Sequence, residues 1–310
     1  SGEKAILRAQ SMVDGYNILG CDVMNVGAKD FAKGIDFLRE LEQTASFPFI
    51  SANIVNEKNG ELPFAPYKIL EKNGFRFGVV GLTAELSPIT RGNLRVDPFI
   101  ERGKAVLSEL DAITDFQIVL FNGSSDKANI AREALTSADL LFVSGDTRNP
   151  ARGGSAISTG TVMKQLGKQG KSLGVVSIDV VDIDLPLRDL SYVQSRLKFL
   201  EKQLKRYAKK DTSKTIEEIY ADDEKMLNRV ATIQDELETL NVELVKEGNS
   251  IRFEFVPMNK NIGEDLMIFA MVNETLTKCD ALGPDKTPSK QKKPSSRSKK
   301  PSRVNPDGTG

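Results

Sequence analysis

Residues 115–121 and 140–143 are nearly unbroken apolar runs with no polar alternation. A strand of that kind must be covered on both faces, so it belongs inside a sheet with layers above and below. Helical patterns surround these runs. Ile6, Ala9, Val13 and Tyr16 recur at near-helical spacing, and Ile35, Leu38 and Leu41 form a single stripe. Short strands are expected at 22–26 and 47–54. Strands at 67–71 and 75–82 flank Asn73-Gly74, a tight hairpin signal. Helices are expected at 98–114, with Asp97 placed to cap the first turn, and at 127–137. A last strand is expected at 172–181. This alternation over residues 1–186 predicts an α/β fold, a mixed sheet layered with helices.

Residues 187–248 follow a different rule. Leu190, Val193, Leu197, Leu200, Leu204 and Tyr207 recur at steps of three and four. The same steps return at Ile216, Ile219, Asp223, Met226, Val230, Ile233, Leu237, Leu240 and Leu244, with Asp223 the one polar member. This is a heptad seam. Thr212 or Ser213 ahead of Glu217 and Glu218 reads as a helix start. The short break predicts a long antiparallel helical hairpin with arms of about 35 and 45 Å. It is either a lever that completes the fold or an interface for a protein partner or a second copy. Residues 249–282 are expected to pack back as a strand at 251–255 and an amphipathic helix at 264–279. Residues 283–310 are almost devoid of apolar side chains, which predicts a disordered basic tail.

The totals exclude several classes. Basic and acidic side chains balance at 43 each, so no overall field draws the chain to nucleic acid. From Pro284 onward eight Lys or Arg face two Asp, which leaves the remainder acidic. No apolar run reaches the roughly 18 residues a membrane span needs. Cys21 and Cys279 are too few for a zinc site, and they are either free or paired with each other. The chain opens at Ser1 without a signal segment, which suggests a mature form or a fragment. Histidine is absent throughout.

Residues 20–31, GCDVMNVGAKDF, resemble the segment GYDAMxxGNHEFD of the 5′-nucleotidase and UDP-sugar hydrolase family, a branch of the calcineurin-like metallophosphoesterases. Further segments resemble that family in the same order. Residues 47–54, FPFISANI, are similar to its FPxLSANI strand. Pro66-Tyr67 with residues 75–83, FRFGVVGLT, is similar to the hairpin that follows. Residues 115–120 resemble the strand that leads to a metal-binding histidine, and 139–145 the strand that leads to GGHSH. Residues 170–174, GKSLG, resemble its GKYLG. The likeness runs over about residues 10–183 and implies a metallophosphoesterase-like sheet.

The resemblance also implies which positions once carried chemistry. The Asn and His of the family's GNHE fall at Ala28 and Lys29. The histidine after the third strand falls at Asn122, and the two of GHSH at Asp146 and Arg148. Hydrolysis in that family needs two cations about 4 Å apart. Asn122 and Asp146 are oxygen ligands that could hold one hard divalent cation, whereas Lys29 and Arg148 would repel a nearby metal. The expectation is therefore no resident cofactor, with a single divalent cation as the alternative. Lys29, Arg148, Arg152, Lys168 and Lys171 allow a metal-free anion site instead, with Asn53 a further ligand-binding position. The family's other ligands lie in DxHG and GD motifs expected upstream of Ser1, and the heptad helices stand where it carries its nucleoside-binding domain. The expected function is a catalytically impaired binding or scaffolding protein. The alternatives are a phosphoester hydrolase with an altered metal site and a metal-free sensor of a phosphate-bearing ligand. Resemblance places the chain in the periplasm or outside the cell.

Overall fold

A computed structural model describes residues 2–145, 160–167 and 170–283. Helix α1 (Gly2–Leu19) leads into β1 (Met24–Asn25), a single 3-10 turn (Asp30–Lys33) and α2 (Ile35–Thr44). The run 47–54, expected as one strand, is two: β2 (Phe49–Ile50) and β3 (Ile54–Asn56). β4 (Tyr67–Lys72) and β5 (Phe75–Thr83) form the expected hairpin. Asn73 and Gly74 both take positive φ, 54° and 84°, as its two-residue turn requires. β6 (Leu94–Val96), α3 (Phe99–Asp111), β7 (Phe116–Asn122), α4 (Ser125–Ala134), β8 (Leu140–Ser144) and β9 (Val162–Gln165) follow.

Five of these strands form one sheet in the order β4-β5-β7-β8-β9, parallel from β5 to β9. Its two faces explain the unbroken apolar runs. On one face Leu82, Val119, Phe121 and Leu141 pack beneath α3 and α4 through Leu107, Ala131 and Leu135. On the other, Phe116, Leu140 and Val162 meet a second sheet. That sheet is β10 (Ser172–Asp179), β11 (Arg188–Asp189) and β12 (Ser250–Pro257), in the order β10-β12-β11. Val176, Ile178 and Ile251 supply its inner side. A third core gathers Val13, Phe31, Leu38, Phe49 and Ile54 between α1, α2 and the short strands. The molecule is a mixed α/β layering, as its sequence pattern predicts.

Asp97 does not cap α3. The cap position falls on Pro98, with no side-chain bond, because the Asp97 carboxylate is taken by Arg95 at 2.9 Å and Arg102 at 3.0 Å. Charge pairing outbids the weaker capping bond.

Helix α5 (Ser191–Ala208) packs on α7 (Glu224–Val245). Leu190, Val193 and Leu197 meet Leu237, Leu240 and Leu244, while Leu200 and Tyr207 meet Val230 and Ile233. These contacts run in opposite directions along the two helices, and Arg196 forks onto Glu236 at 2.6 and 2.8 Å. The helices span 18 and 22 residues, about 27 and 33 Å, shorter than the predicted arms. The heptad outlier is the reason. Asp223 is the N-cap of α7 and accepts the Met226 N–H at 3.0 Å. Before it stands a separate short helix, α6 (Ile216–Ile219), closed by a Thr215–Glu218 capping box rather than by Thr212 or Ser213. Replacing Asp223 by alanine is expected to cost about 1 kcal/mol, read as a shift in the urea midpoint.

Helix α8 (Leu266–Ala281) lies on α1. Met271 approaches Gly15, and Leu282 shares a cleft with Gly2, Glu3 and Lys4. The two helices therefore run antiparallel. Cys279 is buried near the start of α1, Cys21 follows its far end, and both are free thiols. Burial raises the Cys21 thiol pKa, and the Val23 carbonyl and Asp22 modulate it. No helix among the described residues is long and apolar enough to cross a membrane.

Candidate functional site

The carboxyl ends of β5, β7 and β8 are in register: Thr83 lies beside Asn122, and Asn122 beside Ser144. In an open parallel sheet this edge is where ligands sit. The loop after β1 folds over it. Thr83 Oγ1 donates to the Val26 carbonyl at 2.7 Å. The Ala28 N–H donates to Asn122 Oδ1 at 3.0 Å, and Asn122 Nδ2 donates to Ser144 Oγ at 2.9 Å. Gly27 permits this closeness, because a Cβ there would stand 2.7 Å from the Asn122 amide. The loop is braced from within by the Gly27 N–H on Asp30 Oδ2 at 2.7 Å.

Three positions singled out in the sequence thus converge: Ala28, Lys29 on the same loop, and Asn122. Asn53 stands deeper. It is fully buried, accepts the Thr83 N–H at 2.9 Å, and donates to the Thr83 and Asp97 carbonyls at 2.7 and 2.9 Å. Its side chain ties β3 to β5 and to the strap before α3. Lys29 is exposed and has no ion pair among the described residues. Asp146, Arg148, Arg152 and Lys168 lie outside the described residues. Lys171 is exposed at the head of β10.

The donor chemistry of the described residues does not suit a paired-metal centre. Ala28 offers no ligand atom, Lys29 brings a positive charge, and one of the two lone pairs on the Asn122 oxygen is already taken by a backbone N–H. Among the described residues no three His, Cys, Asp or Glu side chains group where an ion could be held. Asp30 is the nearest carboxylate on the loop. Desolvation raises its pKa above the ordinary value, and the Gly27 N–H partly offsets this, although the outer part of the residue is open to solvent.

Sequence reasoning missed Thr83, Ser144 and Asp30. Only the Gly27-x-x-Asp30 spacing, which suits a side chain turning back onto a loop N–H, was available as a signal. Thr83 and Ser144 enter through strand register, which spacing alone does not reveal.

No family model matches the chain. The UshA protein of Salmonella pullorum is 39% identical over 71 residues, which is 23% of this chain and 13% of that protein. A 5′-nucleotidase of Vibrio vulnificus is 35% identical over 83 residues, 27% of this chain and 15% of that enzyme. The matched segment is thus a small part of the curated relatives. Among solved structures, the calcineurin-like phosphoesterase YfkN of Bacillus subtilis superposes with a TM-score of 0.56 at 15% identity, over 88% of this chain and 75% of that one. A short stretch of the chain is thus similar to UshA and 5′-nucleotidase proteins, and its fold is that of a calcineurin-like phosphoesterase.

Proposed function

We propose that this relative of the 5′-nucleotidases is a catalytically retired phosphoesterase domain that works by binding, as a scaffold for a protein partner. The observation that carries this reading is the Asn122 amide. Its oxygen accepts the Ala28 N–H and its nitrogen donates to Ser144. A position that resemblance makes a metal ligand is closed into the protein's own hydrogen bonds. A two-metal mechanism must present lone pairs to two cations and to an activated water. Lys29, a fixed positive charge on the adjoining loop, opposes cation binding by direct repulsion. The packed pair α5 and α7 is the proposed interaction element, and kinship suggests a periplasmic or exported setting.

Metal analysis of the purified protein, joined to an assay on a generic aryl phosphodiester with added Mn, Zn or Mg, tests this. The expected result is no stoichiometric transition metal and no turnover above the uncatalysed rate. Two bound ions together with turnover would restore the hydrolase reading.

A second reading rests on Lys29 itself, exposed and without an ion pair among the described residues. It would hold a phosphate-bearing ligand without metal, with Arg148 the second cation that resemblance suggests. Thermal stabilisation by inorganic phosphate in the presence of a chelator, lost in Lys29→Ala, would favour that reading over a pure scaffold.

A further inference from the structure

Among the described residues, strand β10 is the outer strand of its sheet, with β12 on one side only. The Lys171 carbonyl accepts the Met258 N–H at 3.0 Å, so odd-numbered residues turn their backbone groups toward β12. Ser172, Gly174, Val176 and Ile178 therefore turn theirs to the free edge, because the direction alternates along an antiparallel strand. Among the described residues nothing pairs with that edge.

Natural edges are blunted by prolines, bulges or interior lysines. β10 reads Ser-Leu-Gly-Val-Val-Ser-Ile-Asp and has none of these inside it. It is eight residues long and regular throughout its pairing. Its outward side chains Leu173 and Val175 are 53% and 41% exposed. A long, regular, apolar edge of this kind either meets a partner strand or aggregates.

We propose that β10 pairs antiparallel with β10 of a second copy about a two-fold axis at Val175, joining the two sheets into one. Charge selects this occupant and this register. With the axis at Val175, Lys171 of each copy lies opposite Asp179 of the other. Asp179 is exposed and already holds Arg252. Lys171 has no ion pair among the described residues. Moving the axis to Val176 sets Asp179 against Leu173 and leaves Lys171 facing Val181. The Val175 register also matches Ser172 with Ile178 and Gly174 with Val176, so every free backbone group on the edge gains a partner. The two Val175 side chains meet at a non-hydrogen-bonded pair, where side chains approach most closely. This surface is separate from α5 and α7 and does not depend on the binding role proposed above.

Light-scattering mass measurement of the full chain across a concentration series tests it. The wild type is expected to run as a dimer that dissociates on dilution. Val175→Lys places two like charges face to face and is expected to give monomer with an unchanged circular-dichroism melt. Lys171→Glu is expected to raise the dimer dissociation constant about tenfold, because attraction with Asp179 becomes repulsion. In a Cys21→Ser background, Val175→Cys should form a disulfide-linked dimer on mild oxidation, whereas Leu173→Cys should not. A wild type that stays monomeric at high concentration overturns the proposal. So does a Val175→Lys protein that remains dimeric, or equal cross-linking at residues 173 and 175.

Discussion

Replacing Asp189 by alanine is expected to destabilise the protein by about 3 kcal/mol, the low end of the range for stripping one partner from a buried ion pair, because this pair is not fully buried. Lys164 Nζ lies 2.7 Å from Asp189 Oδ2, and the two side chains are only 16% and 14% exposed. The other carboxylate oxygen takes the Ser191 N–H at 2.9 Å and the Ser191 hydroxyl. Ser191 Oγ in turn accepts the Phe253 N–H at 2.9 Å. One carboxylate therefore joins β9 of the first sheet to β11, to β12 and to the first turn of α5. There a negative charge also suits the helix dipole. Without it, the largely buried Lys164 ammonium keeps only the Phe253 ring, whose centroid is 5.7 Å away. Lys164→Met combined with Asp189→Leu is expected to recover much of the loss, since an apolar pair carries no stranded charge. Urea unfolding of the wild type and the two variants measures this. A loss in Asp189→Ala under about 1 kcal/mol would put the pair at the periphery.

The same pair sets an acid limit. Burial alone would raise the Asp189 pKa, but the Lys164 ammonium and the two Ser191 donors outweigh it and hold the carboxyl below its ordinary value. The unfolded chain then binds this proton at higher pH than the folded one. The stabilisation is present above the unfolded pKa of about 3.9 and is lost as pH falls through the lower folded value. The gap between wild type and Asp189→Ala should therefore narrow in that acid window and hold steady near neutrality.

Asn53→Ala is expected to cost about 3 kcal/mol, because it strands the buried Thr83 N–H and carbonyl and leaves the half-buried Asp97 carbonyl without its partner. Thr83 is fully buried, so water cannot replace the lost partner. Lys29→Ala, on an exposed side chain of the adjoining loop, should move stability by less than about 0.5 kcal/mol. Chemical denaturation of the two variants side by side separates a strut from a surface contact. An Asn53→Ala protein as stable as the wild type would return Asn53 to the ligand-binding role that resemblance suggested.

Much of the layering was legible because its signals are local. The apolar runs at 115–121 and 140–143 require cover on both faces, and β7 and β8 have it. Asn73-Gly74 demands two positive φ angles, and the hairpin supplies them. Errors came where one side chain had two suitors. Asp97 could cap a helix or pair with arginine, and Arg95 and Arg102 took it. Asp223 looked like a flaw in a heptad and is a helix cap. At the site, Ala28, Lys29 and Asn122 could be singled out by likeness to a motif. That Asn122 would turn its amide onto the Ala28 N–H could not, since the two lie 94 positions apart in the chain.

By itself the sequence determined the alternation of helices and strands, the hairpin turn, the amphipathic seam of α5 and α7, and the kinship with a phosphoesterase family. Each follows from the chemistry of neighbouring residues or from short motifs. Only the tertiary structure decided that β12, beyond that helical pair, would stand between β10 and β11, that Asn53 would be an internal strut, and that among the described residues nothing would pair with the outer edge of β10. Those outcomes depend on strand register and on which buried polar groups find each other. Both are set by contacts between residues far apart in the chain.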